Sequence, residues 1–155
     1  MSGYKVFVLD TQVAKIFDLP EVGAPPKLVE TVENAFTGKH DRDLGTDAPG
    51  RVMQRTGQTG GKGAQRTALQ PRATHKQHAT EQFARQLAKH IGVAARDKTS
   101  HGVVLVAAPR FLAAVRAGLT KTAQKQVVRE IPRDLVGLSK LELRRRLTAA
   151  MRPMR

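Results

Sequence analysis

Apolar and polar residues alternate in the first two segments of the chain, which is the pattern of β-strands. In residues 4–10, Val6 and Val8 alternate with Phe7 and Leu9, and the β-branched and aromatic content is typical of a strand buried on both faces. Residues 11 and 12 predict a tight reversal, after which residues 13–19 repeat the alternation. The two segments are therefore predicted to form a β-hairpin.

A turn rich in proline and glycine follows the hairpin. Its punctuating residues are Pro20, Gly23, Pro25 and Pro26. Residues 27–34 then alternate again and predict a third strand, with a short helix as the alternative interpretation of this segment. Three consecutive strands at the start of the chain favour an antiparallel meander.

Residues 37–78 form a long segment that is rich in glycine and in basic residues. It contains seven of the thirteen glycines, and its eight Lys and Arg residues outnumber its three Asp and Glu residues. A compact domain rarely keeps a loop of this length unless the loop has a function. We expect either a loop whose free backbone amides contact phosphate oxygens or a disordered linker, and ordering on a partner is a further option.

A long helix is predicted to follow this loop. Residues 74–77 fit a capping box, in which the Thr74 hydroxyl and the Gln77 side chain satisfy free amides at the start of the helix. Gly92 is placed to end it. The buried face is predicted from an apolar recurrence every four residues, formed by Phe83, Leu87 and Ile91, with Ala84 and Ala88 beside them.

A continuous apolar run over residues 101–108 is typical of a central strand that is covered on both faces. Pro109 suits the first turn of a helix over residues 110–117, because its missing amide would have no partner there. Gly118 is predicted to end that helix.

The last part of the chain predicts a helical turn, a strand and a final helix. The turn covers residues 120–126 and the strand covers residues 127–131. Ser139 then caps the final helix, with Glu142 three residues later as the second member of a capping box. Residues 151–155 are predicted to be a frayed tail.

The order of these elements is β-β-β-α-β-α-β-α. An antiparallel meander followed by two strands that are joined through helices is the arrangement of an RNase H-like domain. We therefore predict an α/β fold with one domain over residues 1–155. Its sheet would be mixed and five-stranded, and the long basic glycine-rich loop would connect the third strand to the first long helix.

The net charge of +14 and the sequence pI of about 11.1 indicate a polyanionic partner, of which nucleic acid is the commonest. Arginine outnumbers lysine, which suits phosphate because the guanidinium fork binds it bidentately. The absence of cysteine excludes disulfides and thiolate catalysis. Neither a signal peptide nor an apolar run long enough for a spanning helix is visible, so we expect a cytoplasmic protein with no membrane insertion.

Three patterns that point to enzyme or metal chemistry are weak. Residues 57–63 resemble a nucleotide-binding loop, but the spacing is short by one residue and Gly63 stands where a Ser or Thr would reach magnesium. His40, His75 and His78 lack the fixed geometry of a metal site, and capping or exposure explains the last two. Asp10 and Glu81 are two scattered acids, whereas a two-metal nuclease needs several clustered carboxylates. We predict no catalytic residue, metal or cofactor.

The residues predicted to bind RNA come from the loop and from the final helix. The basic face of that helix has a solvated surface as its alternative explanation, but together with the basic loop it favours phosphate contact. The predicted RNA-binding residues are Arg51, Arg55, Gly60, Gly61, Lys62, Gly63, Gln65, Arg66, Arg72, His75, Lys76, Arg144, Arg145 and Arg146.

Several segments together resemble the bacterial host attachment protein family, also described as proteins required for attachment to host cells. Its most specific elements are Ala-Pro-Arg-Phe-Leu at 108–112 and Glu-Ile-Pro-Arg-Asp-Leu at 130–135. The other matching segments are residues 6–19, 43–51, 75–91, 103–119 and 127–147. The resemblance covers nearly the whole chain and implies a role in host attachment, through surface or signalling processes.

That family is in turn similar to the central domain of bacterial relatives of archaeo-eukaryotic release factors, which has an RNase H-like build. Release factors carry a Gly-Gly-Gln tip, on the loop before the long helix, that promotes peptidyl-tRNA hydrolysis. Here Gly60 and Gly61 are followed by Lys62, and Gln65 comes only after Gly63 and Ala64. The similarity therefore implies binding to the ribosome, through rRNA or tRNA, in hibernation or rescue and without hydrolysis.

The primary hypothesis is a non-catalytic RNA-binding, ribosome-associated factor. The alternatives are a host-attachment protein of surface or signalling processes and a hydrolase of peptidyl-tRNA or RNA. The oligomeric state has no signal in the sequence.

Overall fold

The computed structural model describes residues 3–36 and 61–152, and of residues 61–73 it describes the backbone. The strands are β1 (Tyr4–Leu9), β2 (Val13–Leu19), β3 (Lys27–Glu33), β4 (Gly102–Val106) and β5 (Val127–Ile131). The helices are α1 (Gly61–Ala95), α2 (Pro109–Ala117), α3 (Lys121–Gln126) and α4 (Lys140–Met151).

The five strands form one mixed sheet in the order β3-β2-β1-β4-β5. β1 pairs antiparallel with β2 and β2 pairs antiparallel with β3, whereas β4 is parallel to both β1 and β5. The predicted α/β class and mixed five-stranded sheet are therefore confirmed. The RNase H-like classification stays a prediction.

The first hairpin forms as the alternation predicts. Asp10 Oδ1 accepts hydrogen bonds of 2.7 Å from the amides of both Gln12 and Val13, which closes the tight reversal between β1 and β2. Across the hairpin, Lys5 Nζ lies 2.6 Å from Asp18 Oδ1, and these two residues are register partners. Such an opposite-charge pair directly across two strands supports the register.

The third segment is a strand and not a helix, although six of its seven residues are exposed. It lies at one edge of the sheet, where only β2 pairs with it among the described residues. Its register shifts between Ile16 and Phe17, which leaves Val29 as an extra residue in β3. A bulge of this kind bends an edge strand and discourages further strand pairing.

Helix α4 covers one face of the sheet. Leu143, Leu147 and Met151 recur every four residues along it and form a buried cluster with inward residues of the sheet. The strand members of this cluster include Val6, Val8, Phe17, Val104 and Val106. Burial of apolar surface stabilises a fold by about 25 cal/mol per Å², and this burial holds α4 on the sheet.

The alternate strand residues Phe7, Leu9, Val103 and Leu105 are also buried, so the opposite face of β1 and β4 is covered as well. The side chains available to cover it are the buried residues of α1 and α2. They are Ala84, Leu87, Ala88 and Ile91 in α1, as predicted, and Phe111, Leu112 and Val115 in α2.

Helix α1 differs from its prediction at both ends. It begins at Gly61, not at the Thr74 capping box, and it continues past Gly92 to Ala95. The predicted loop over residues 37–78 is therefore wrong from Gly61 onward, where the chain is helical. Residues 37–60 of that loop lie outside the described residues. The sequence pattern did not predict a helix here because residues 61–73 contain two glycines and a proline and show no apolar stripe.

The predicted tail also begins too early. Met151 is the last residue of α4 and is completely buried, so the chain is not frayed at that position. Arg152 is exposed, and residues 153–155 lie outside the described residues.

Residue contacts divide the chain into two compact units. The first contains the chain up to Glu33 and again from Ala84, and it holds the whole sheet. The second is Asn34–Phe83, in which the Asn34 amide donates a 3.4 Å hydrogen bond to the carbonyl of Ala79. The expectation of one domain over residues 1–155 stays a prediction.

Candidate nucleic-acid interface

Helix α4 presents the predicted basic residues of the first unit. Ser139 caps it: the Ser139 hydroxyl accepts a 3.2 Å hydrogen bond from the Glu142 amide, and the Ser139 carbonyl accepts one of 2.8 Å from Leu143. Ser139 is therefore the cap residue that the sequence predicted, whereas the carboxylate of Glu142, the second member of the predicted capping box, lies 3.4 Å from Arg145 Nη1. Because Leu143, Leu147 and Met151 are buried against the sheet, the positions on the opposite side of α4 point away from the core.

Arg144, Arg145 and Arg146 are all exposed, but they do not share one direction. Consecutive residues of an α-helix are separated by about 100° around its axis. The three guanidinium groups therefore spread around the outer half of α4. This arrangement suits contacts with several phosphates of a chain better than the gripping of one anion.

The three arginines also differ in their partners. Arg144 Nε donates a 2.8 Å hydrogen bond to the carbonyl of Gly23, in the turn between β2 and β3. Arg145 Nη1 lies 3.4 Å from Glu142 Oε1, an exposed pair on the helix surface. Arg146 has no hydrogen-bond or ion-pair partner among the described residues. Arg144 thus has a structural contact, whereas Arg146 is available for an external anion.

The other predicted RNA-binding residues belong to the second unit or lie outside the described residues. His75 and Lys76 are exposed on α1. Arg51, Arg55 and Gly60 lie outside the described residues. Helix α1 contains Gly61, Lys62, Gly63, Gln65, Arg66 and Arg72, of which the structure describes the backbone. For these residues the predicted setting was a loop, and the observed setting is a helix.

The residues weighed for metal or nuclease chemistry have other surroundings. The carboxylate of Asp10 accepts the two hairpin amides, so it has a structural role in the turn. Glu81 lies 3.9 Å from His78 Nδ1 on the surface of α1. Within residues 3–36 and 61–152, no three His, Cys, Asp or Glu residues are placed to hold a metal ion. His40 lies outside those ranges.

A second group of basic residues was missed by the sequence analysis. Between Pro109 and Arg133, six Lys and Arg residues stand against one acidic residue, Glu130. They lie on α2, α3 and β5 and the ends of these elements, namely Arg110, Arg116, Lys121, Lys125, Arg129 and Arg133. The excess was visible in the composition, but these residues are four or more positions apart and form no run. We call this group the α2–β5 corner.

A groove of about 440 Å³ lies in the α2–β5 corner. Arg116 and Glu130 line it and form a bidentate pair, in which Nε lies 2.9 Å from Oε2 and Nη2 lies 2.6 Å from Oε1. The pair is half-exposed, with 47% of the Arg116 side chain and 30% of the Glu130 side chain accessible. A fork of this kind fixes the plane of the guanidinium group.

None of the helices in the described part of the chain is both long and apolar enough to cross a membrane.

Comparison with known proteins supports the family resemblance. No curated protein matches the chain significantly. The family described as "Protein required for attachment to host cells" matches residues 5–147. This range runs from β1 into α4 and includes both specific segments, at 108–112 and 130–135. The similarity to release factors stays a prediction. Because the match covers most of its length, the chain belongs to the family of proteins required for attachment to host cells.

Proposed function

We propose that this chain is a non-catalytic, cytoplasmic RNA-binding factor that associates with the ribosome. The observation that carries the proposal is the uneven distribution of charge. Residues 3–36 contain three Lys and five Asp or Glu, whereas residues 74–152 contain sixteen Lys or Arg and only five Asp or Glu. Among the residues compared, the positive charge is thus concentrated in residues 74–152, and an uneven distribution of this kind is expected of a protein that binds a polyanion.

Helix α4 supplies the clearest contacts for phosphate. Its core stripe is fixed on the sheet, so the exposed guanidinium groups of Arg145 and Arg146 are carried by a rigid element. Arginine binds phosphate oxygens bidentately, and each neutralised phosphate releases counterions. His75 and Lys76 add exposed basic positions on α1. The ribosome as the specific partner rests on the resemblance to release-factor relatives.

Sedimentation of cell lysates through sucrose gradients tests the proposal. At low salt the protein should travel with ribosomes, and the bound fraction should fall steeply as salt rises, because phosphate contacts are salt-dependent. The triple variant Arg144→Gln, Arg145→Gln, Arg146→Gln should lose this association at lower salt.

A matched control removes the same net charge elsewhere. Arg85, Arg96 and Lys98 are exposed, and their replacement by glutamine changes the charge equally without touching α4. This control should leave most of the association intact. Protein that stays at the top of a low-salt gradient, from both growing and starved cells, would show that the proposal is wrong.

A second candidate function is attachment to host cells, which the family match favours by its description. The two functions make different demands on location, since attachment through direct contact needs the protein at the cell surface. Fractionation of bacteria, combined with a host-adhesion assay of a deletion strain, separates them. Protein found at the surface, together with lost adhesion, would favour direct attachment over ribosome association.

A further inference from the structure

The groove of the α2–β5 corner lies against an edge strand. Within the described residues, β5 pairs only with β4, so one side of its backbone is not used by the sheet. The groove runs along Val127, Val128, Arg129 and Glu130 of this strand and is completed by side chains from the end of α2 and from α3. Its volume of about 440 Å³ falls in the range of roughly 300–1,000 Å³ that is typical of small-ligand sites.

The lining of the groove combines an apolar part with a flat cation. Leu119, Val127 and Val128 supply the apolar part, and 39% of Val128 is exposed. Arg116 supplies the cation, and its fork with Glu130 holds the guanidinium plane in place while leaving it half-exposed. Nucleobases stack on guanidinium planes of this kind, and such stacking tolerates any base.

Gln124 adds a hydrogen-bonding group at the groove. Its Nε2 donates to the carbonyls of Leu119, at 3.2 Å, and of Arg116, at 3.4 Å, so the amide is held across the end of α2. Its Oε1 has no partner among the described residues. An oxygen that is fixed in this way is a ready acceptor for an amino or imino group of a base.

We infer that this groove binds one nucleotide of single-stranded RNA, with its base stacked on the Arg116 guanidinium and its neighbouring phosphates near Lys121 and Lys125. The inference rests on the proposed RNA binding and names a second site for it, whose lining contains no residue of α4. Both lysines are exposed on α3. A base inside a duplex is already stacked and is not free to enter, so the groove selects single strands.

Charge and backbone geometry favour RNA over an added peptide strand. The corner has six basic residues and one acidic residue, which suits a phosphate chain. The register of β5 against β4 shifts between Val103 and Val104, which leaves Val128 as an extra residue in β5. This bulge interrupts the regular ladder that a peptide would need for strand addition.

Fluorescence anisotropy of the full chain tests the inference, with a labelled single-stranded oligouridine and the same strand paired with oligoadenosine. Arg116→Lys keeps the charge but removes the planar fork, and it should weaken single-strand binding by about 5- to 10-fold, at the low end of a lost stacking contact. It should change duplex binding by less than about 2-fold. Arg85→Lys, the same substitution at an exposed site of α1, is the matched control and should change neither.

Glu130→Gln separates positioning from charge. It removes a negative charge, so electrostatics alone predicts tighter binding of both RNAs. If Glu130 instead holds the Arg116 plane for stacking, single-strand binding weakens while duplex binding does not. Thermal unfolding of each variant verifies that the fold is retained. Photocrosslinking of oligouridine that contains 4-thiouridine should then label the segment from Val127 to Glu130.

Three results overturn the inference, and they do so differently. If the wild-type chain binds neither RNA at low salt, both the proposed function and the nucleotide site in the groove are wrong. If Arg116→Lys and Arg85→Lys affect RNA binding equally, the groove is not a nucleotide site, although the proposed RNA binding stands. The third result concerns an acidic peptide, oligoglutamate. If Arg116→Lys weakens the binding of this peptide but not the binding of RNA, the groove is a protein-binding site instead.

Discussion

Gly102 lies beside Val128 across β4 and β5, and a side chain in place of the glycine would overlap with the valine. Gly102 has a φ of +140°, a conformation that residues with a Cβ rarely adopt. A Cβ placed there would lie 2.5 Å from Val128 Cγ1 and 3.0 Å from the Gln126 carbonyl oxygen. The start of β4 therefore requires a residue without a Cβ, because the side chain of the bulged Val128 occupies the space that a Cβ would take.

Gly102→Ala should destabilise the protein by about 2–4 kcal/mol, because it introduces both backbone strain and a steric overlap with Val128. Urea unfolding followed by circular dichroism measures the change. Gly137→Ala is the control, since no atom lies within 4 Å of the position that an added Cβ would occupy and its φ is not in the positive range. A Gly102→Ala variant as stable as the control would contradict the steric argument.

Met151→Ala should cost about 2–4 kcal/mol of stability, since it removes a completely buried side chain from the cluster under α4. Leu141→Ala, on the same helix, should change stability by less than about 0.5 kcal/mol because 59% of Leu141 is exposed. Unfolding curves of the two variants compare the stability lost at the end of α4 with the stability lost on its exposed face. Equal small losses would mean that the chain is frayed from residue 151, as the sequence suggested.

Gly92→Ala should stabilise the protein by about 0.5–1 kcal/mol. Gly92 lies inside α1, which continues to Ala95, and no atom lies within 4 Å of the position of an added Cβ. Alanine there reduces the freedom of the unfolded chain without a clash. Thermal unfolding measures the gain. A loss of stability would instead support the interpretation in which the glycine ends the helix.

The strands could be predicted from the sequence because each carries its own signal. The alternation of apolar and polar residues predicted β2, Val13–Leu19. A continuous apolar run predicted a strand over residues 101–108, and the structure has β4 there, over the shorter range Gly102–Val106. The signals for the starts of α4 and α2 were also local, since Ser139 caps α4 and Pro109 is the first residue of α2. The start of α1 could not be found in this way, because glycine, proline and polar residues there contradict helical propensity.

The candidate sites could be predicted only where charge is continuous in the sequence. The three arginines of α4 form a run and were found. Arg116 and Glu130 are fourteen residues apart, and Arg144 and Gly23 are 121 residues apart. Such pairs are created by the crossover between parallel strands and by the packing of α4, so no spacing rule indicates them. The groove of the α2–β5 corner therefore required the structure.

Asp97 should make stability depend on acid pH. The Thr99 hydroxyl, at 2.6 Å, and the Thr99 amide, at 2.9 Å, donate to Asp97 Oδ1 and lower the pKa of this carboxyl. A carboxyl with a lowered pKa stabilises the fold above its unfolded pKa, about 3.9, and that contribution is lost as the pH falls through the folded pKa.

Asp97→Asn should therefore be less stable than wild type at neutral pH, and the difference should shrink as the pH falls below about 4. Unfolding curves at several pH values measure it. The Asp134→Asn variant, at another exposed carboxyl in a turn, provides the comparison. A difference that stays constant through the acid range would show that the Thr99 contacts do not depend on the charge of Asp97.

Arg144 and Arg146 should respond differently to the same substitution, because one is held by the fold and the other is not. Arg146→Gln should leave stability unchanged, weaken RNA binding at low salt and reduce the salt slope of binding by about one, as expected for one lost phosphate contact. Arg144→Gln should reduce the slope less and lower stability slightly, since its Nε donates to the Gly23 carbonyl. Anisotropy titrations over a range of salt, paired with unfolding curves, give both quantities for each variant. Equal slopes and equal stabilities for the two variants would mean that the Gly23 contact has no role and that the arginines act only through net charge.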